Sequence, residues 1–233
     1  MQEIRYAMVD GEKVPVLISD ENEALQAAKA ARRAIVGLWR EDGKENEWCA
    51  DTLITDVEDA DEEFLERIAR RHLGLPWTIC ETERLILREI AERDYEEIVK
   101  NHVDDGLDTA EKIAGYTKRH YEVFEFGFWA VEEKKSGNLT GVVGFRIPQD
   151  DGIGDVDYYV LSLDDENILD DTLELGYHIF PEYRKKGYAK EACRAAIEYA
   201  EEEFGTVQFI VRIGKENIVS KKVAESLGFV RTE

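Results

Sequence analysis

One stretch constrains this chain more than any other. Leu173 to Phe180 (LELGYHIF) reads as a strand, and Pro181-Glu182-Tyr183 ends it. After Gly187 a helix begins, with Ala189, Ala192, Cys193, Ala196, Ile197, Ala200 and Phe204 recurring on one face and Gly205 closing it. The junction Arg184-Lys185-Lys186-Gly187-Tyr188-Ala189 reverses the local charge: residues 184–190 hold four basic side chains and no acidic one, in a chain of net charge −22. A helix N-terminus offers unpaired N–H groups and a partial positive charge, which together suit a phosphate. Gly187 removes a side chain that would hold a pyrophosphate away, Ala189 stays small, and Lys185 and Lys186 add charge-assisted contacts. On spacing alone, a plain basic turn at a helix start fits equally well.

The rest of the composition narrows the classes. At 233 residues and 43% hydrophobic, the chain has enough apolar material for one large or two small globular domains. Cys49, Cys80 and Cys193 are odd in number and far apart, which argues against a disulfide framework and suits a reducing, cytoplasmic setting. The four histidines stand apart, so no metal site is expected. The first residues carry no secretory pattern, and no apolar run approaches the roughly 20 residues of a membrane span. The charge of −22 disfavours nucleic acid as a partner and favours cationic ligands such as amines or basic peptides, or simply an acidic surface.

Pattern changes divide the chain into residues 1–76 and 77–233, with Leu75-Pro76-Trp77 as the hinge. In the first part, strand candidates at Val14–Ile18, Ala34–Trp39 and Thr52–Thr55 alternate with helical spacing around Ala24–Ala31 and Phe64–Ile68, which predicts a small parallel α/β unit. Ser19-Asp20 reads as a helix cap. The region 13–75 distantly resembles the back half of a haloacid-dehalogenase-type lobe, but no aspartate nucleophile precedes it, and a phosphohydrolase is the least supported reading. In the second part, Thr82–Arg88 alternates as a strand and Asp94–Phe124 is helical around a polar break. Phe128–Val131 and Leu139–Phe145 flank a turn at Lys135–Asn138. Asp150–Asp171 holds nine acidic residues and no basic one, a composition expected of a solvated loop or edge. A strand at Val207–Ile213 and a helix opening at Asn217, with Val219, Val223 and Leu227 as its apolar face, complete the reading.

Residues 174–191 (ELGYHIFPEYRKKGYAKE) resemble the acetyl-CoA motif of the GNAT superfamily of N-acetyltransferases, Gln/Arg-x-x-Gly-x-Gly/Ala, with Arg184, Gly187 and Ala189 in its defining places. The resemblance extends from about Thr82 to Phe229, and its nearest branch is the ribosomal-protein alanine N-acetyltransferases. It implies an α/β fold of the GNAT type: a central mixed, mostly antiparallel sheet flanked by helices, here with a small N-terminal α/β lobe of unknown role. It implies acetyl-CoA as acyl donor and a primary amine, small or a peptide N-terminus, as acceptor. His178, Ile179, Phe180, Arg184, Lys185, Lys186, Gly187, Tyr188, Ala189, Asn217 and Ser220 are the residues it assigns to the cofactor.

Direct attack of an amine on the thioester needs a base, a polarised carbonyl and a proton for the departing thiolate. Glu174 is the leading candidate for the base, with His178 on the same side of the strand. Many relatives place a tyrosine seven residues after the helix-capping Asn; here that position is Ala224, so Ser220, Tyr188 or water is left as donor. Lys185 stands where many relatives have Gly, and only Val230–Glu233 follow Phe229, where relatives continue into a further strand. A second subunit completing the sheet, a homodimer, is one expectation from that brevity. Ala224 and the short end also support a competing function, an acyl-CoA sensor without turnover.

Overall fold

A computed structural model describes residues 1–40, 48–103, 106–148, 156–162 and 172–232. The chain divides into two compact units, Met1–Trp77 and Thr78–Glu233.

The first unit opens with strands β1 (Gln2–Val9) and β2 (Glu12–Ser19). They are joined by Asp10-Gly11, both at positive φ (+49° and +89°), the twist that a two-residue hairpin requires. Helix α1 (Asn22–Ala30), β3 (Ala34–Leu38), β4 (Leu53–Ile54) and α2 (Glu62–His72) follow. The four-stranded sheet runs β1-β2-β3-β4. The pairs β2–β3 and β3–β4 are parallel, as alternation of strand and helix predicts, but β1–β2 is antiparallel, because its connection is too short for a crossover. Val16, Ile18, Ala34 and Val36 meet Leu65, Ile68 and Ala69 of α2 in the core. Asp20 is not the helix cap: Glu21 occupies that position without a side-chain bond. The Asp20 carboxylate pairs with the Met1 ammonium and with Arg40 Nε at 2.8 Å, and two cations hold it more firmly than one backbone N–H would.

The second unit holds β5 (Thr78–Glu81), β6 (Leu85–Arg88), α3 (Tyr95–Lys100), α4 (Ala110–Val123), β7 (Phe128–Glu133), β8 (Asn138–Arg146) and β9 (Val156–Ser162). It continues with β10 (Thr172–Ile179), α5 (Tyr188–Phe204), β11 (Gln208–Gly214), α6 (Ile218–Leu227) and β12 (Val230–Arg231). Its eight strands run β12-β9-β11-β10-β8-β7-β6-β5, and among them only β10–β11 is parallel. This is the mixed, mostly antiparallel sheet flanked by helices that the motif order implies.

One face of the sheet packs Leu175, Phe145, Trp129 and Phe209 against Ala192, Cys193 and Ala196 of α5 and Ala224 of α6. The other packs Phe128, Val142 and Phe180 against Ile98 and Ile113 of α3 and α4. Gly144 is needed for backbone approach, since a Cβ there would lie 1.9 Å from the Gly127 carbonyl oxygen. Arg88, 5% exposed, is bidentate to Asp94 at 2.6 and 2.9 Å and donates to Glu132 at 2.8 Å. That buried pair ties β6 to the turn entering α3.

Two expectations change here. The acidic run Asp150–Asp171 lies mostly outside the described residues, but its middle is β9, an internal strand between β12 and β11. Its Asp157 is buried and paired with Lys221 and Arg231, both at 2.5 Å, so this acid is neutralised within the fold. Asp157 and Tyr159 alternate inward with Tyr158 exposed between them, a short signal inside a long run of acids. In α6 the buried residue is Ala224, whereas Val219 is 74% exposed and does not belong to the core face. The short tail also finds a place: Val230 and Arg231 pair with Val160 and Tyr159 as the edge strand.

Candidate functional site

The site starts from a break in the sheet. Pairing of β10 with β11 is confined to Thr172–Glu174 against Gln208–Ile210, and beyond it the two strands splay. On its other side β10 stays paired with β8 as far as Ile179. Phe180 N–H donates to Thr140 O at 2.9 Å, so by alternation residues 176 and 178 turn their amides toward β8. The N–H groups of Tyr177 and Ile179 therefore point into the gap. The Ile179 carbonyl faces the same way and accepts from Arg184 Nε at 2.8 Å.

A cavity of about 630 Å³ opens from this gap. Tyr177, His178 and Ile179 of β10 form one wall, Asn217, Val219, Ser220 and Val223 at the start of α6 another, and Tyr183–Lys185 with Gly187–Lys190 the mouth. Asn217 caps α6 through Ser220 N–H at 3.1 Å. The Tyr177 hydroxyl spans the floor and donates to Ser220 O at 3.0 Å, and burial pushes its phenol well above the usual range. The mouth is a backbone cradle. Lys185 (φ +62°) and Gly187 (φ +85°) are both left-handed, and Gly187 caps α5, so the free amides of the first helical turn face outward. The left-handed Lys185 explains why glycine suits this position, and the lysine side chain is accommodated along the rim.

The loop is braced from outside. Arg84, just before β6, donates to Lys186 O at 2.9 Å, pairs with Glu191 at 2.5 Å and lies 4.8 Å from the centre of the Tyr188 ring. Glu191 also accepts from Thr82 Oγ1 at 2.5 Å and Arg84 N–H at 3.0 Å. Burial pushes the Glu191 carboxyl up, but the Thr82 and Arg84 bonds outweigh it and leave it below its ordinary value. The Tyr188 hydroxyl donates to Glu133; that bond, with burial, raises the phenol's pKa. Lys186 Nζ sits 4.7 Å over the Tyr183 ring.

Of the residues singled out in the sequence, His178, Ile179, Arg184, Lys185, Gly187, Tyr188, Ala189, Asn217 and Ser220 line the cavity. Phe180 is buried in the opposite core, and Lys186 and Glu174 are absent from the lining. Glu174, 2% exposed, sits where the splay begins and accepts from Arg146 at 2.5 Å and Arg212 at 2.9 Å through Oε1; among the described residues its buried Oε2 has no hydrogen bond. The two guanidiniums fix the orientation of this carboxylate at the fork. Sequence reasoning missed Tyr183, Lys190, Val219 and Val223 in the lining, and the Arg84–Glu191 brace. Lys190 carried a signal: a cation in the first turn of a helix opposes the dipole unless an anion binds there.

The donor set fits a pyrophosphate at the mouth and an amide-bearing chain along the gap. Gly187 is favoured by its positive φ, since a Cβ there would meet only Arg84 Nη2 at an ordinary 3.4 Å. Among the described residues no group of His, Cys, Asp and Glu could hold a metal ion, and no helix is long and apolar enough to cross a membrane.

Several known proteins are similar to this chain. An uncharacterised N-acetyltransferase of Bacillus subtilis, YnaD, is 26% identical over 150 residues, covering 64% of this chain and 81% of the relative. A second from that organism, YoaA, is 26% identical over 157 residues, covering 65% and 82%. Among solved structures, a ribosomal-protein-S5-alanine acetyltransferase of Vibrio fischeri is similar with TM-score 0.48 and 18% identity, covering 67% of this chain and 83% of its own. The profile of the acetyltransferase (GNAT) domain matches residues 84–230, well over half of the sequence. This chain belongs to the GNAT acetyltransferase family.

Proposed function

We propose that the protein transfers the acetyl group of acetyl-CoA to a primary amine, a small amine or a peptide N-terminus, by direct attack of the amine on the thioester. The observation that carries this reading is the continuous path from the cradle at Gly187 to the open edge of β10. The cradle amides, Lys185, Lys190 and Arg184 hold the pyrophosphate. The pantetheine lies along the gap, where the N–H groups of Tyr177 and Ile179 take the place of ladder bonds to β11. A donor of this kind at the thioester carbonyl stabilises charge that develops on its oxygen.

Proton handling divides between Glu174 on β10 and Ser220 on α6. Glu174 holds Arg146 and Arg212 at the fork and takes the ammonium proton through water at Oε2, with His178 on the same side of the strand. Ser220, the α6 hydroxyl in the cavity lining, serves the thiolate. Tyr188 is engaged with Glu133, which leaves it better suited to shaping the loop than to giving up its proton. The ribosomal-protein branch and a cytoplasmic setting accord with a peptide acceptor, and the acidic surface would draw a cationic one. The first unit is an accessory domain in this reading.

A second reading has one specific observation behind it. Ala224 is 1% exposed and packed in the core, so no phenol reaches the gap from α6, and an acyl-CoA sensor without turnover would need none. Thermal shift with acetyl-CoA, paired with thiol release over a panel of amines, separates the readings. Stabilisation with thiol release supports the enzyme; stabilisation without release on every amine supports the sensor; no stabilisation refutes both.

A further inference from the structure

The first unit ends its sheet in an unguarded strand. β1 is eight residues long and, among the described residues, pairs only with β2. Asp20 N–H donates to Met1 O, and the register continues from that pair, so the odd residues of β1 bond to β2. The even residues Gln2, Ile4, Tyr6 and Met8 turn their N–H and C=O groups outward. Their side chains share one face, where Ile4, Tyr6 and Met8 are 50%, 53% and 55% exposed. Natural edge strands are commonly protected by charge, proline or a bulge, and none of these four residues supplies one. Lys13 Nζ lies 4.3 Å over the Tyr6 ring.

The charges on the opposite face of β1 favour one occupant. Glu3 and Arg5 flank Ile4, and Arg5 Nε already bonds Glu3 at 2.7 Å. A second β1 laid antiparallel about a two-fold axis at Ile4 sets Glu3 opposite the partner's Arg5, and Arg5 opposite the partner's Glu3. These fall at the closer, non-hydrogen-bonded pairs, while the outward amides of Gln2, Ile4 and Tyr6 meet their counterparts. The other face then buries Ile4 against the partner's Ile4, and Gln2 against the partner's Tyr6. Residues 2–6 carry one acid and one base, so the chain's charge of −22 does not act locally, with a Debye length of about 8 Å at physiological salt. We infer that β1 pairs with the β1 of a second copy of this chain, joining two four-stranded sheets into one across an Ile4-centred two-fold. The inference rests on the first unit alone and is independent of acyl transfer.

The register makes it testable position by position. In the full chain with Cys49→Ser, Ile4→Cys places two thiols about 5.5 Å apart at Cα, within reach of a short bismaleimide. Met8→Cys places them about 26 Å apart, out of reach. Covalent dimer from the first variant and not the second is the expected result; equal cross-linking of both, or of neither, overturns the register. Sedimentation velocity on the unmodified chain should show a dimer, and a monomer throughout the micromolar range refutes the proposal outright. Glu3→Arg should weaken dimerisation at least tenfold, with far-UV circular dichroism unchanged. Adding Arg5→Glu should restore it, and failure of that restoration in a folded double variant also counts against the pairing.

Discussion

Gly187→Ala is the sharpest test of the cradle, and Gly205→Ala is its control. Both residues bound α5 in the left-handed region, at φ +85° and +65°. A Cβ at Gly205 meets nothing within 4 Å, and one at Gly187 meets only Arg84 Nη2 at ordinary contact distance. Steric collision is therefore excluded at both, and each alanine carries the same backbone penalty of about 1–2 kcal/mol. For a domain of this size, that corresponds to a fall in Tm of about 2–8 °C in either variant. Their effects on ligand should differ. If the chain relieves strain at 187 by turning a peptide, the cradle loses one N–H to a charged phosphate, worth about 1.5–3 kcal/mol. Acetyl-CoA affinity then falls about 10- to 100-fold, while Gly205→Ala keeps the parent value. Isothermal titration with acetyl-CoA and a melting curve on each variant give the four numbers. Equal affinities for the two variants, with equal loss of Tm, would refute the placement of phosphate at this loop.

Three further perturbations probe the surroundings. Glu174→Gln should lower the rate and flatten the acidic limb of its pH profile, and an unchanged profile removes Glu174 from proton transfer. Glu191→Gln should cost about 1 kcal/mol or less, because the clasp is partly solvated. Since the folded carboxyl lies below its ordinary value, its contribution is complete above about pH 4.5 and disappears as pH falls through the folded value. Urea titrations of parent and variant should therefore converge in acid, and a constant difference there contradicts the assignment. Asp94→Asn takes the bidentate carboxylate from the buried Arg88 and leaves Glu132 as its counter-ion, so it should cost about 1.5–3 kcal/mol, read as a Tm lower by about 3–12 °C, with acetyl-CoA affinity retained.

Local pattern made much of the second unit legible. The helix after Gly187, the hairpin around Gly137 and the Asn217 cap each follow from spacing or turn chemistry within one segment. What local pattern could not supply depends on partners far along the chain. Arg84 and Glu191 stand 107 positions apart, and nothing in either neighbourhood announces the other. Asp20 has the composition of a cap, yet two cations compete for it successfully. β9 was concealed because its flanking acids outweigh the alternation of its inward residues. Val219 satisfied a helical apolar spacing and is nonetheless exposed, because α6 leans on the sheet through Ala224 and leaves its first turn beside the cavity. The site was readable where backbone chemistry defines it, at Gly187, and obscure where tertiary ion pairs do, at Glu174.

The splayed strands have a mechanical meaning as well. Seven residue pairs join β9 to β11 and six join β8 to β10, but only three join β10 to β11. The sheet is thus two leaves hinged along a short seam, with α5 and α6 behind it. Amide hydrogens of β11 and β9 should exchange together, as one leaf, ahead of those in β7 and β8. A ligand lying in the seam supplies the missing cross-links, so occupancy fuses the leaves into a single cooperative body. On the proposed function, the seam along which the sheet opens is also the seat of the acyl donor.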